Sequence, residues 1–137
     1  MYENIRELFL TDIFAVNLGI RIDDIGEGRA AASLEISGQM LNGARVANGG
    51  VTFTLADYAL AIAANTLGEN ISLTSNVNIN YCGAVRQGDM LTAEASVGVK
   101  KGRNAFLSVN VRNQKGEVVA LAQSMTTETS RSKIENN

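Results

Sequence analysis

One carboxylate, Asp57, stands inside a run of otherwise uncharged residues, VTFTLADYALAIAANTLG, from Val51 to Gly68. The run is rich in Ala and Leu, and its apolar residues fall on all sides at helical spacing. It predicts a long, buried helix over about 50–67, with Gly68 just past its end. No Lys or Arg lies within a turn or two of Asp57. Burial without a countercharge disfavours the ionised form and raises a carboxyl pKa, so a carboxylate in this position is a candidate general base or nucleophile. The alternative open at this point is an Asp that is solvated at the helix surface or serves as a strut accepting hydrogen bonds from a loop.

Gly49 and Gly50 immediately precede this run, with Asn48 before them. The first turn of a helix carries backbone N–H groups without helical acceptors and a partial positive charge, so an oxyanion is stabilised there, and glycine lets a carbonyl come close. The plainer reading is a Gly-rich turn with Asn48 as the helix cap. Asp57 lies eight positions after Gly49, which is about 12 Å along a helix. One carbonyl carbon cannot meet both groups in one chain. If the two cooperate, a second protomer must bring its own helix alongside, which predicts a homodimer with composite sites.

The composition narrows the chemistry further. The chain of 137 residues contains no His and no Pro. Mechanisms that need an imidazole base, and His-based zinc sites, are excluded within this chain. The formal net charge of -2 lacks the basic footprint of a nucleic-acid binder. No apolar run approaches the roughly 20 residues of a membrane span. The start MYENIRELFL lacks the basic region and apolar block of a signal peptide. A single Cys, Cys82, forbids an internal disulfide and suits a reducing compartment, so the expected location is cytoplasmic.

The elements that must position these groups read from periodicity. Ile5, Leu8, Phe9, Ile13 and Val16 form one helical stripe over 2–16, punctuated by Gly19. Leu18–Ile25 and Arg29–Ile36 are strands joined by the turn Gly26-Glu27-Gly28. Gly38–Gly50, with four glycines, is a loop. After the long helix come four alternating stretches: Ile71 to Tyr81, Leu91 to Val99, Ala105 to Val111 and Val119 to Thr127. Short turns make the last of these antiparallel hairpins. The tail from Ser130 to Asn137 is polar and expected to fray. The whole chain, 1–137, reads as a single α+β domain whose antiparallel sheet must cover the long helix.

The segments Met40-Leu41-Asn42-Gly43 and Asn48-Gly49-Gly50 through Leu55-Ala56-Asp57 resemble the signature of the hotdog-fold acyl-CoA thioesterases of the phenylacetic-acid-degradation (PaaI-like) branch. That signature has an Asn-containing loop, then His-Gly-Gly, then an apolar turn ending in Leu-Ala-Asp. Gly19-Ile20, the strand Asn78 to Tyr81 and the turn Gly88 to Leu91 extend the likeness along nearly the whole chain. The resemblance implies a sheet wrapped around the central helix and a dimer joining two sheets edge to edge, often paired again into a tetramer. It implies Asp57 as nucleophile or general base, the Gly49 amide of the other subunit on the thioester carbonyl, and Asn42 placing water or the carboxylate. Gly50 and Asn48 would line the substrate, and a hydroxyl on the following strand, Thr74 or Ser75, would contribute.

One position departs from that signature: the family's His is Asn48 here, which hydrogen-bonds but carries no proton at neutral pH. The implied function is hydrolysis of a small aryl- or medium-chain acyl-CoA, with coenzyme A as part of the substrate and no separate cofactor or metal. The alternative is a non-catalytic hotdog module that binds acyl-CoA or another hydrophobic ligand. A hotdog hydratase pairs its acid with a His and does not suit this chain. The one basic cluster, Lys100, Lys101 and Arg103, is either a contact for coenzyme A phosphates or a solvated hairpin turn.

Overall fold

The computed structural model describes residues 1–134. Helices α1 (Glu3–Leu10) and α2 (Ile13–Leu18) lead into the hairpin β1 (Arg21–Gly26) and β2 (Arg29–Glu35). A loop with a single 3-10 turn at Gly38–Met40 precedes the long helix α3 (Gly49–Asn65). Four strands complete the chain: β3 (Asn70–Tyr81), β4 (Met90–Lys101), β5 (Asn104–Arg112) and β6 (Val118–Ser132). They form one six-stranded antiparallel sheet with the first hairpin, in the order β1-β2-β4-β5-β6-β3. The sheet curls over α3, and β1 and β3 are its edges.

The core is the seam between helix and sheet. Leu55, Ala56, Ala59, Leu60, Ile62 and Ala63 of α3 are fully buried, and so are Ala32, Leu91, Ala93, Val111 and Ala120 of the sheet. The small residues on both sides let the backbone surfaces approach closely, so the core needs few aromatics. Helix α3 stops at Asn65, short of the residue 67 expected from its composition. The Thr66 hydroxyl donates to the Ala63 carbonyl and accepts the Gly28 amide, both at 2.7 Å. Lys133 Nζ then donates to the carbonyls of Asn65, Leu67 and Gly68 at 2.6, 3.0 and 2.9 Å, a cation on the negative end of the helix. The tail is therefore strand as far as Ser132, paired with Asn70, and not frayed from Ser130. Residues 135–137 lie outside the described residues.

Two local departures from the sequence pattern bear on the site. The N-terminal stripe is broken into two helices because Asp12 caps α2, its carboxylate accepting the Ala15 amide at 3.1 Å. The second departure is in β3, whose alternation looks unbroken from Ile71 to Tyr81. Thr74 pairs with Thr126 and Asn76 with Met125, which leaves Ser75 bulged. A one-residue slip exchanges the two faces of a strand. Before the bulge Ser72 and Thr74 face the helix and Leu73 is 61% exposed; after it Val77 and Ile79 pack on the core.

The buried side chain of Asn65 sets this phase. Its Oδ1 accepts the Ser72 amide at 2.9 Å, and its Nδ2 donates to the Ser72 carbonyl at 3.0 Å and to the Ala61 carbonyl at 2.8 Å. Asn65→Ala leaves both backbone groups of Ser72 buried without partners, and each such group costs about 1–3 kcal/mol. Urea denaturation is expected to show a loss of about 3 kcal/mol. A loss below about 1 kcal/mol would mean that β3 finds its place without this clamp.

Candidate active site

Asp57 sits midway along α3 and is half-buried. The only side-chain hydrogen bond it receives among the described residues is from Thr74 Oγ1, at 3.0 Å to Oδ1. Desolvation raises the carboxyl pKa above its ordinary value, the Thr74 bond pulls it partly back, and the negative charge of Asp12 adds to the rise. A pocket of about 180 Å³ opens beside it, lined by Asp12, Phe14, Phe53 and Tyr58 among others. Tyr58 anchors the wall: its hydroxyl donates to the Phe9 carbonyl at 2.7 Å, and its ring meets Phe9 edge-on at 5.7 Å. Burial pushes the Tyr58 phenol up to about 12. Asp57 is thus partly withdrawn from solvent, and its partner stands on a strand and not on a loop.

Thr74 and Ser75 are separated by the bulge. Ser75 Oγ donates to the Met125 carbonyl at 3.0 Å and lies 3.2 Å from Thr127 Oγ1. Its hydroxyl is bound to β6 and does not join Asp57. Of the two hydroxyl candidates, the geometry pairs Thr74 with the carboxylate.

The second locus is the start of α3. Asn48 caps the helix, its Oδ1 accepting the Gly50 amide at 2.8 Å, as in the plainer reading of this turn. Asn48 Oδ1 and the Gly50 amide are therefore spent on each other. The Gly49 amide hydrogen has no acceptor among the described residues. Asn42 organises the preceding loop: its Oδ1 accepts the amides of Ala44 at 2.9 Å and Val46 at 3.3 Å, across a turn in which Arg45 holds a left-handed φ of 64°. The Asn42 side-chain nitrogen donates to none of the described residues. Asn42 and Gly49 share a pocket of about 230 Å³ with Thr52, Tyr81 and Val85.

The structure thus gathers Asp57 and Thr74 at one place and Asn42, Gly49 and Tyr81 at another. The two pockets have no lining residue in common. Lys100 lies 3.7 Å from Glu128, while Lys101 and Arg103 are exposed at the β4–β5 turn; none of the three lines either pocket. Asp12, Phe14 and Tyr81 are neighbours that sequence reasoning missed as site residues. The first two were hidden in a stripe that read as a single helix. Tyr81 is seven residues past Thr74 and meets Gly49 only through the fold.

A curled antiparallel sheet on one long helix, with a carboxylate at mid-helix and glycines at its start, is a hotdog fold. A sequence model of the thioesterase superfamily matches residues 44–120, and the chain belongs to that superfamily. It is 33% identical over 120 residues to the acyl-coenzyme A thioesterase PaaI of Escherichia coli, covering 88% of this chain and 85% of the relative. A putative esterase of Archaeoglobus fulgidus is 32% identical over 124 residues, covering 90% of this chain and 80% of the relative. The solved structure of E. coli PaaI, from the phenylacetic acid degradation operon, superposes with a TM-score of 0.91 at 30% identity, covering 96% of this chain and 94% of the other.

A raised folded-state pKa means that the fold penalises ionised Asp57. The penalty is full above the folded pKa, shrinks as the pH falls through it, and vanishes below the unfolded value near 3.8. Asp57→Asn keeps an acceptor for Thr74 and removes the charge. Its Tm is expected to exceed that of the wild type at neutral pH and to converge with it near pH 4, in thermal melts run across that range.

Proposed function

We propose that the protein is a thioester hydrolase acting on acyl-coenzyme A, with Asp57 as nucleophile or general base. The observation that carries this is the Asp57–Thr74 pair, a half-buried carboxylate with no countercharge among the described residues, held by one hydroxyl at the edge of an open pocket. A structural acid gains little from such a place, whereas a base needs a pKa lifted toward the working pH. The likeness to a relative named as an acyl-coenzyme A thioesterase supports the same reaction.

In this reading water or Asp57 itself attacks the thioester carbonyl, and the negative charge that develops on oxygen is met by the Gly49 amide. Gly49 must come from a second protomer, so the active form is a homodimer, and a further pairing into a tetramer is compatible with it. The two sheet edges support a partner at β3. Edge strand β1 carries Arg21, Asp23 and Asp24, charges that discourage pairing, whereas β3 is twelve residues long and has none. Asn42, with its side-chain nitrogen unspent, orients water or the carboxylate.

The loss of the family's His at Asn48 is compatible with this chemistry because the leaving group is a thiol. Thiols ionise near pH 8.5, so coenzyme A departs as a thiolate with little help from a general acid. The acyl group we assign is a small aryl or medium-length chain, consistent with Phe14 and Phe53 beside Asp57. A reducing, cytoplasmic setting suits the exposed thiol of Cys82. Asn48 as a plain helix cap favours one other reading, a module that binds acyl-CoA without turnover. Calorimetric binding with no release of thiol from any acyl-CoA would select it.

Three variants test the hydrolase. Asp57→Asn is expected to lose about 10²-fold or more in kcat. Thr74→Val removes the bond that lowers the Asp57 pKa, so less of the carboxylate is ionised at a given pH. The acid limb of kcat/KM should move to higher pH, with roughly tenfold lower activity on that limb. Ser75→Ala should stay within about twofold of the wild type, since its hydroxyl serves β6. Equal thiol release by Asp57→Asn and the wild type would remove Asp57 from the mechanism.

A further inference from the structure

The amide of Gly49 acts on a carbonyl only if the peptide that opens α3 is held in one orientation. That N–H belongs to the Asn48–Gly49 peptide, whose carbonyl accepts the Val51 amide at 2.9 Å, while the Asn48 side chain takes the hydrogen of Gly50. A second hold, on the other side of the Gly49 α-carbon, comes from the far end of β3. Tyr81 Oη donates to the Gly49 carbonyl at 2.9 Å. The ring lies against the same residue so closely that a Cβ at position 49 would stand 3.1 Å from Cζ and 3.2 Å from Oη. Tyr81 is 53% exposed, so burial of the ring does not explain why an aromatic residue is there.

Resting on the thioesterase reading above, we propose that Tyr81 is a positioning residue for the Gly49 amide. Its hydroxyl fixes the Gly49 carbonyl, in the peptide after the one that carries the Gly49 N–H, and its ring walls the α-carbon between the two; with the Val51–Asn48 bond, both peptides around that α-carbon are held and the amide keeps its place beside the shared pocket. A Cβ at position 49 would press on the Tyr81 ring, which must give by a few tenths of an ångström. A misplacement of about 1 Å at a reacting centre costs up to about 10²-fold in rate, so the contact is worth a measurable effect on kcat.

The test is a coupled set of variants in the intact protein, assayed by thiol release from an acyl-CoA that the wild type hydrolyses. Tyr81→Phe keeps the ring and loses the hydroxyl; it is expected to lower kcat about tenfold with KM within about twofold and Tm unchanged. Gly49→Ala should cost about 10²-fold in the wild type, where the ring must shift, and only a few-fold when added to Tyr81→Ala. A wild-type kcat in Tyr81→Phe, a loss expressed in KM, or an equal cost of Gly49→Ala in both backgrounds would overturn the proposal.

If the wild type releases no thiol from any acyl-CoA, the hydrolase reading fails and the positioning is read directly. The backbone amide resonance of Gly49 should then shift in Tyr81→Phe while resonances beyond the first turn of α3 stay in place. An unmoved Gly49 resonance would overturn it.

Discussion

The geometry of both loci depends on how β3 is fastened to α3, and the fastening begins with Asn65. A buried amide must find partners, and this one takes both backbone groups of Ser72 while donating to its own helix. Once Ser72 is fixed, Thr74 is two residues further along on the same face and meets Asp57. The strand then crosses its bulge and runs to Tyr81, which closes on Gly49. The three contacts fall on α3 at Asn65, Asp57 and Gly49, eight residues apart, so each is rotated roughly 80° from the last. The strand winds across the helix, and beyond the Asn65 clamp each of these contacts lands on a residue that the proposed chemistry uses.

The long helix was legible because its composition leaves few alternatives: Ala and Leu on all sides, no Pro, and glycines at both ends. The sheet was legible because each strand alternates and each turn carries Gly or Asn. Asp57 was legible as the one charge in an apolar run. What escaped was phase. Ile71, Leu73, Val77 and Ile79 all fall on odd positions, so the pattern argues for one uninterrupted face. The true strand changes face at Ser75 and leaves Leu73 exposed, because the clamp at Asn65 and the partner for Asp57 outweigh the burial of one Leu. A bulge adds a residue without altering composition, and for that reason the choice between Thr74 and Ser75 follows from the pairing register and not from the alternation. The same holds at Asp12, where an apolar stripe that continues past the residue concealed a helix cap.

Asn48 shows how one side chain sets several roles at a helix start. An Asn is among the best caps, typically worth about 1 kcal/mol to the helix it begins. Its side-chain oxygen satisfies Gly50 and its main-chain carbonyl satisfies Val51, which leaves Gly49 a first-turn amide without an acceptor among the described residues. The cap therefore contributes to the stability of α3 and to the definition of the candidate oxyanion donor, while bringing no titrating group. With no imidazole anywhere in the chain, the acid side of any pH profile rests on carboxylates, and among the described residues Asp57 is the carboxyl that burial lifts above its ordinary pKa.

That opposition acquires a further meaning in the proposed dimer. In a single protomer Asp57 lies eight residues into its own helix, beyond the first turn where the positive end of the macrodipole acts. Burial and the charge of Asp12 therefore prevail over the single bond from Thr74. A partner that brings the start of its own α3 to the Asp57 pocket brings an unpaired amide and partial positive charge with it, and both favour the ionised carboxylate. Assembly would then lower the pKa that folding raises. A carboxylate whose ionisation the single protomer opposes would ionise more readily where the oxyanion donor is also present, so both halves of the chemistry would depend on the same contact between chains.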